Sequence, residues 1–496
     1  MRGRAVAIVG FGMRTPAGSS GADLWERLVG GRTLARLVPA AVNAAVPAPI
    51  ACEVRFSPTE IPIGGPRTQS ARRGRSSGAG RSPGDWRLSG DGRLSGDGRS
   101  SGDGRSSGAG RSSGAGRSTA DAGGDDVPDD RGAWPGAGSS GHAGAAGRSV
   151  PAGVADGPAL TDRAVRFGIA AAVMAVSSAG PHEHRRSRCG VVAATSASQV
   201  AMLTGTATGT AGPGGGGAGL APPVRWSEAV ASVVAACTGW SGLVRTIPAS
   251  DGTGGHAIGE AARAIAAGDV DLVVAGGYDA PIRPQVMAGF ARMGLLSGSD
   301  DPGCAARPFD QARDGLVLAE GAAFVVLEEL QAARARGACV LAQVAGYGQS
   351  TDAFAPGLPT PSSEQVAVAM AEALADSSLH PNDVVHVSAH AGGERVRDQV
   401  EADAITAVLG AGSPVTAPKG VTGHALAAAG PLQAIGVLLS YARSAVPPTA
   451  NCTRVDPALR IDVVCGRARP MAPGPAIVNA LGFGGNNASL VMVPEA

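Results

Sequence analysis

Asp251, His390 and His424 are the side chains whose settings suit them best to hold or move charge. Asp251 lies in Ala249-Ser250-Asp251-Gly252-Thr253-Gly254-Gly255-His256, a small-residue turn that opens into a buried helix. A residue there faces unpaired backbone N–H groups and the positive end of the helix dipole. A cysteine at that place would have a lowered pKa and would be a good nucleophile. Asp251 is instead an anion and a favoured helix cap, so the residue alone is also read as a plain cap. His390 ends Val387-Ser388-Ala389 and precedes Ala391-Gly392-Gly393, and His424 closes Ala417-Pro418-Lys419-Gly420-Val421-Thr422-Gly423. A histidine at a strand end or in such a turn can donate a ring N–H to a developing oxyanion. Each alone is also read as a satisfied core or loop histidine. Gly482-Phe483-Gly484-Gly485 frees successive backbone N–H groups to converge on an anion.

The elements that must position these residues alternate. Apolar runs rich in β-formers occur at Ala5–Val9, Cys189–Ala193, Val270–Ala275, Ala323–Leu327, Val384–Val387, Ala476–Asn479 and Ser489–Val493. A further strand-like run, Leu243–Ile247, follows Cys237. Helical patterns lie between them at Ala164–Ala179, His256–Ala267, Glu364–Ser377 and Leu426–Tyr441. This alternation predicts a mainly parallel sheet covered on both faces. The segments Ala257–Ala267 and Ala425–Val437 are rich in Ala and Gly and almost free of charge, which predicts helices buried all round. The apolar start, Ala5-Val6-Ala7-Ile8-Val9, is too short for a leader and meets Gly10, Gly12 and Arg14 at once, so it reads as a first buried strand.

Composition narrows the function. Only 17% of the 496 residues are charged and the formal net charge is +1, which gives no sign of a nucleic-acid or acidic-membrane partner. Aromatics make up 3%, so the core must be built from Ala, Val, Leu and Ile. The seven cysteines are widely spaced with no Cys-x-x-Cys pair, which predicts a reducing cytoplasm and neither a structural zinc nor a disulfide scaffold. No stretch is long and apolar enough to span a bilayer. From about Gly64 to Asp156 a six-residue unit recurs, with Arg at 75, 81, 87, 93, 99, 105, 111 and 117. The units hold almost no apolar side chains, so ordering them would cost backbone entropy with no burial in return. The segment therefore reads as a disordered insertion, about 65–157, in a globular chain.

Taken together, these segments resemble the β-ketoacyl-acyl-carrier-protein synthase family. The resemblance takes in Ala5–Gly18 and Asp162–Gly180 and is densest from Asp251 to Leu490. It includes His256-Ala-Ile-Gly-Glu-Ala-Ala-Arg with Val273–Gly277, and the run Arg307-Pro-Phe-Asp-Gln-Ala-Arg-Asp-Gly-Leu-Val-Leu-Ala-Glu-Gly-Ala. Lys419–Gly430 and Gly482–Gly485 extend it. The resemblance implies an α/β thiolase-like fold, two similar βαβαβαββ halves packed as a five-layered α-β-α-β-α core. Residues 1–330 would form the N-terminal half, with the insertion, and 331–496 the C-terminal half.

In that family a cysteine attacks an acyl thioester, and two histidines hold the malonyl thioester carbonyl as decarboxylation gives the enolate. The resemblance assigns those histidines to His390 and His424. It makes Lys419 the lysine that orients one of them, and Phe483 N–H an oxyanion donor. The nucleophile position falls on Asp251, or on Gly252 with a one-residue slip; neither is a nucleophile for acyl transfer. Cys237, fourteen positions upstream of Asp251, reads as a packing residue. Ala391, Gly392 and Gly393 stand where the family places Thr and Ser, and Ala319 replaces a glycine. Loss of the cysteine resembles the chain-length factors of type II polyketide synthases, although those usually carry Gln there. The expected partners are a cysteine-bearing ketosynthase in a heterodimer and an acyl carrier protein. No resident cofactor or metal is expected, since acyl and malonyl groups arrive on phosphopantetheine. The alternatives are a malonyl decarboxylase using the two histidines, and an inactive remnant.

The repeat generates a direct test. Deleting Gly65–Gly157 should leave the thermal midpoint of the purified protein unchanged, because the segment has no burial to lose. A clear drop in that midpoint would show that the repeat packs against the fold.

Overall fold

The structure is a computed structural model that describes residues 1, 3–37, 50–54, 162–196, 229–354 and 361–495. The arginine repeat lies outside the described residues.

Two successions of the same elements build the fold. The first runs β1 (Val6–Arg14), α1 (Arg163–Ser178), β2 (Cys189–Thr195), α2 (Ala229–Thr238), β3 (Val244–Pro248), α3 (Thr253–Ala267), β4 (Leu272–Asp279) and β5 (Gly321–Glu329). The second runs β6 (Ala342–Thr351), α4 (Glu364–Ser377), β7 (His386–Ser388), α5 (Arg395–Leu409), β8 (Pro414–Thr416) and α6 (Ala429–Arg443). The short β9 (Asp462–Val463) interrupts it before β10 (Ala476–Leu481) and β11 (Asn486–Pro494). Both follow βαβαβαββ, and in both the last strand inserts beside the first. The strand order is β9-β8-β7-β10-β11-β6-β1-β5-β4-β2-β3, so the halves join where β6 pairs with β1.

The helices sort into layers. α3 packs on β4, β2 and β5 of the first half and on β11, β6 and β10 of the second. α6 likewise touches β5 and β10. These two form the middle layer, which explains why they carry so few charges: α6 is buried up to its last turn, and α3 keeps only a half-exposed stripe through Glu260 and Arg263. α1 and α2 cover the outer side of the first half, around Phe167, Val230 and Tyr278. α4 and α5 cover the outer side of the second, around Met370, Val400 and Ile405. The order helix, strand, helix, strand, helix is the one expected.

The close middle layer depends on missing side chains. A Cβ on Gly254 would lie 2.0 Å from the Ala427 carbonyl oxygen, so α3 and the start of α6 meet backbone to backbone.

Several expectations need correction. The sheet is mixed, with five parallel and five antiparallel pairings. Each half ends in an antiparallel pair or insertion, which period-based reading of buried strands does not separate from parallel ones. The ten-residue β6 was missed because it carries Gly346 and Gly348 rather than β-branched residues. A Cβ at either would come within about 2.1 Å of an α4 carbonyl, since α4 lies directly on the strand. Helix α5 was missed because Arg397, Asp398 and Glu401 share its buried side with Val400 and Ile405 and break the apolar stripe. Leu272–Ala275 lies inside the sheet, and β3 forms the end of the sheet on that side, with Val244 41% exposed.

One core residue offers a clean test of burial. His386, on β7, is buried with no hydrogen-bond partner on either ring nitrogen, and burial pushes its pKa down to about 3. The unfolded chain protonates it near 6.5 while the folded chain does not, so its contribution is full above pH 6.5 and falls as pH drops towards 3. Between pH 6.5 and 5, urea unfolding of the native protein should lose about 1–2 kcal/mol more than that of His386→Leu, on roughly 1.4 kcal/mol per pH unit. Parallel pH profiles for the two proteins would show that His386 is not the group that titrates.

Candidate functional site

The site forms where the two middle helices begin. Asp251 precedes α3, yet it does not cap it: the N-cap residue is Gly252, with no side-chain cap. The Asp251 carboxylate turns the other way and is buried. Its Oδ1 accepts a 2.6 Å hydrogen bond from Phe483 N–H, in the glycine turn between β10 and β11. Its Oδ2 lies 2.9 Å from His424 Nε2 and 3.4 Å from His390 Nε2. Arg397 Nη1 and Nη2 both reach Oδ2 at 3.4 Å. Burial alone would raise the Asp251 carboxyl, but Arg397 and the two histidines outweigh it and hold it well below the ordinary carboxylate range.

Each histidine is held by its backbone. His424 N–H donates to Val317 O at 2.7 Å and its carbonyl accepts from Ala319 N–H at 2.9 Å, so the Arg307–Ala322 segment fixes it from one side. Leu426, at φ 49°, turns its N–H back onto His424 Nδ1 at 3.2 Å. That nitrogen is therefore the acceptor, and the ring proton sits on Nε2, facing Asp251. His390 N–H and Ala391 N–H donate to the Glu401 carboxylate at 2.8 and 2.7 Å. Gly392 N–H and Gly393 N–H donate to Asp398 at 3.1 and 3.2 Å. Two acids of α5 thus receive the whole turn that carries His390. The rings of His390 and His424 meet edge to face, 5.0 Å between centroids. Burial, and then Lys419, pushes both histidines down, His424 to about 4, so both are neutral.

Lys419 does not touch either ring. Its ammonium donates to the His390 carbonyl oxygen and to Gln433 Oε1 at 3.1 Å. Gln433, on α6, donates in turn to the carbonyls of Ser388, Ala389 and Asn479. Lys419 thereby positions the strand end rather than the imidazole. Phe483 stacks on His424 with rings 23° apart. The structure brings Asp251, His390, His424 and Phe483 into one cluster with Lys419 behind it. Gly252 points away, against the Ala480 and Asn486 carbonyls. Cys237 is remote, half-buried against the first-half core.

Two residues at this site escaped the sequence reading, Arg397 and Glu394. Arg397 is buried, its Nη2 donates to Leu481 O at 2.8 Å, and its guanidinium lies 4.0 Å over the Phe483 ring. Glu394 sits 3.6 Å from it, and burial lifts the Glu394 carboxyl to about 7. The available signal was three charges, Glu394, Arg395 and Arg397, in the seven residues after His390, in a segment otherwise read as a flexible turn.

Asp251, His390 and His424 have the composition of a two-histidine, one-carboxylate metal triad. The site does not fit a metal. A ligating histidine donates from its far nitrogen, whereas His424 Nδ1 accepts, and so its Nε2 is not free to ligate. Arg397 already supplies the cation beside Oδ2.

Comparison with known proteins agrees with this architecture. The β-ketoacyl synthase N-terminal domain model matches residues 153–333 and the C-terminal domain model matches residues 341–453. The 3-oxoacyl-[acyl-carrier-protein] synthase 2 of Staphylococcus aureus (strain COL) is 40% identical over 242 residues, 48% of this chain and 58% of the relative. That of Mycobacterium bovis is 39% identical over 241 residues, again 58% of the relative. The chain thus spans 58% of the length of these curated relatives. The ishigamide ketosynthase/chain length factor superposes with a TM-score of 0.71 over 100% of both chains at 25% identity. A β-ketoacyl synthase from Burkholderia phymatum shares the fold, with a TM-score of 0.72 at 24% identity over 99% of this chain and all of its own. With one domain model on each half and this fold across the chain, the chain belongs to the β-ketoacyl synthase family.

Proposed function

We propose that this chain is the non-condensing subunit of a ketosynthase pair, a chain-length factor beside a cysteine-bearing β-ketoacyl synthase in polyketide or fatty-acid-type biosynthesis. The single observation that carries the proposal is the seat of the Asp251 carboxylate on Phe483 N–H. If Phe483 N–H is the oxyanion donor of the family, the carboxylate fills the place of the thioester oxygen while also replacing the nucleophile. A carboxylate held by Arg397 and buried is a poor nucleophile, and the mixed anhydride it would form lies higher in energy than the thioester it came from, so loading would run uphill.

Support for pairing comes from the sheet edge. β3 ends the sheet with its outer backbone groups unpaired by any other described strand, and its side chains are exposed or half-buried. Such an edge favours a second strand along it. Similarity to a protein described as a ketosynthase/chain length factor points the same way. In this reading His390, His424, Lys419 and Phe483 are the inherited thioester-handling set, and condensation occurs on the partner's cysteine. An acyl carrier protein brings the acyl groups, so the subunit holds no cofactor of its own. All seven cysteines are free, and among the described residues no helix is long and apolar enough to cross a membrane; a cytoplasmic site forms part of the proposal.

Co-expression with a cysteine-bearing ketosynthase of the same organism should give a heterodimer on size-exclusion chromatography, and condensation should need both chains for the native product length. Intact-mass measurement after incubation with acyl-loaded carrier protein should show the adduct on the partner alone. Separate elution with unchanged product length, or an adduct mapped to Cys237, would overturn the reading.

A further inference from the structure

We propose that Arg397 locks this site, by fixing His390 in the tautomer that cannot donate from Nε2 and by keeping Asp251 seated on Phe483. A guanidinium has five donors and no acceptor, and it keeps its charge in any protein environment. Arg397 Nη2 makes an aligned contact of 3.3 Å with His390 Nε2, so Nε2 must be the accepting nitrogen. The ring proton then sits on Nδ1, which finds no partner among the described residues. The Asp251 oxygen at 3.4 Å is not in hydrogen-bond alignment with this ring. His424 shows the opposite state, with Nδ1 accepting from Leu426 N–H and Nε2 protonated. The two histidines therefore face the cluster with one donor between them, whereas a thioester enolate calls for two.

The guanidinium is anchored on all sides. The Leu481 carbonyl, the Asp251 carboxylate, the Glu394 carboxylate and the Phe483 ring all hold it. It lies against both Phe483 and His390. Loss of the cysteine is then not the whole of the inactivation. Asp251→Cys alone would leave His390 an acceptor and the guanidinium in place.

This inference rests on the reading of the two histidines as carbonyl donors, and the test separates the two. Removing Arg397 alone would strand a buried carboxylate, so the informative variant is Asp251→Asn with Arg397→Met, which removes both charges together. Ring spectra of 15N-histidine-labelled full-length protein, assigned with His390→Asn, report the tautomer directly. The native protein should show His390 protonated at Nδ1, and the double variant should show it protonated at Nε2. In parallel, malonyl-loaded acyl carrier protein is the probe. Its thioester would lose CO2, and the enolate would take a proton from water to leave the acetyl thioester. The native chain should not exceed the background rate, and the double variant should exceed it at least tenfold. A native spectrum with His390 protonated at Nε2, or a native chain that decarboxylates as fast as the variant, overturns the lock. A tautomer change with no gain in decarboxylation supports the lock and overturns the donor reading of the histidines.

Discussion

The ion pair of Asp251 and Arg397 sets the terms for everything around it. Two buried charges 3.4 Å apart are tolerated only if each also satisfies its remaining hydrogen-bonding groups. Asp251 does so through Phe483 N–H on one oxygen and Arg397 on the other, with His424 Nε2 2.9 Å from that second oxygen. Arg397 does so through Leu481 O, with the Phe483 ring beneath it and Glu394 3.6 Å away. The glycine turn at Gly482–Gly485 is thus held at both ends of one ion pair, by its Phe483 N–H and by the preceding carbonyl. Deleting either partner alone would leave an uncompensated charge, at a cost of about 3–5 kcal/mol.

The second half of the fold is arranged to keep that pair in register. Helix α5 supplies Arg397, Asp398 and Glu401 from one buried face, and the two acids receive four successive N–H groups of the His390 turn. Arg397 and His390 are therefore placed by the same helix, and their 3.3 Å contact follows from it. Asp398 also accepts from Phe309 N–H, and Gly315 N–H donates to Gly393 O, so the long arginine and acid-rich segment braces the same turn. That segment fixes His424 by its backbone as well. One structural strip thus holds both histidines, although they stand on different elements.

Much of this was legible in the sequence, and the failures share a cause. The buried strands and the two middle helices were readable because apolar periodicity reports burial when a wholly buried segment has nothing polar in it. The collinear motifs placed Asp251, His390, His424, Lys419 and Phe483 together. Helix α5 and strand β6 were not readable. In α5 Arg397, Asp398 and Glu401 share the buried side with Val400 and Ile405, so the apolar stripe is broken by charge. In β6 the residues that permit close packing are glycines, which argue against a strand when taken alone. Arg397 went unseen with α5, because nothing in a turn-like run of Gly, Glu and Arg says that its arginine points inward. The capping reading of Asp251 failed for a related reason. Propensity places an aspartate at a helix start, but tertiary partners on β10, α5 and the His424 turn decided where its carboxylate went.

An apolar plug would also have closed a thioester site, and with a lower desolvation cost. A buried ion pair of this kind is weak grounds for stability, since well-packed apolar residues of similar volume are often as stable or more so. What the pair provides instead is direction. A leucine in place of Arg397 would fill space but leave His390 free to take either tautomer. The guanidinium fixes the tautomer, because it offers only donors to the one nitrogen it meets. Likewise an alanine at 251 would leave Phe483 N–H open to a thioester oxygen, whereas the carboxylate occupies it. On the proposed reading the pair thus takes up Phe483 N–H and His390 Nε2, leaving His424 Nε2 as the remaining donor, while the backbone that carries them is kept intact. That combination fits a subunit whose surface and shape are used by a partner and whose own site must not compete for the acyl group.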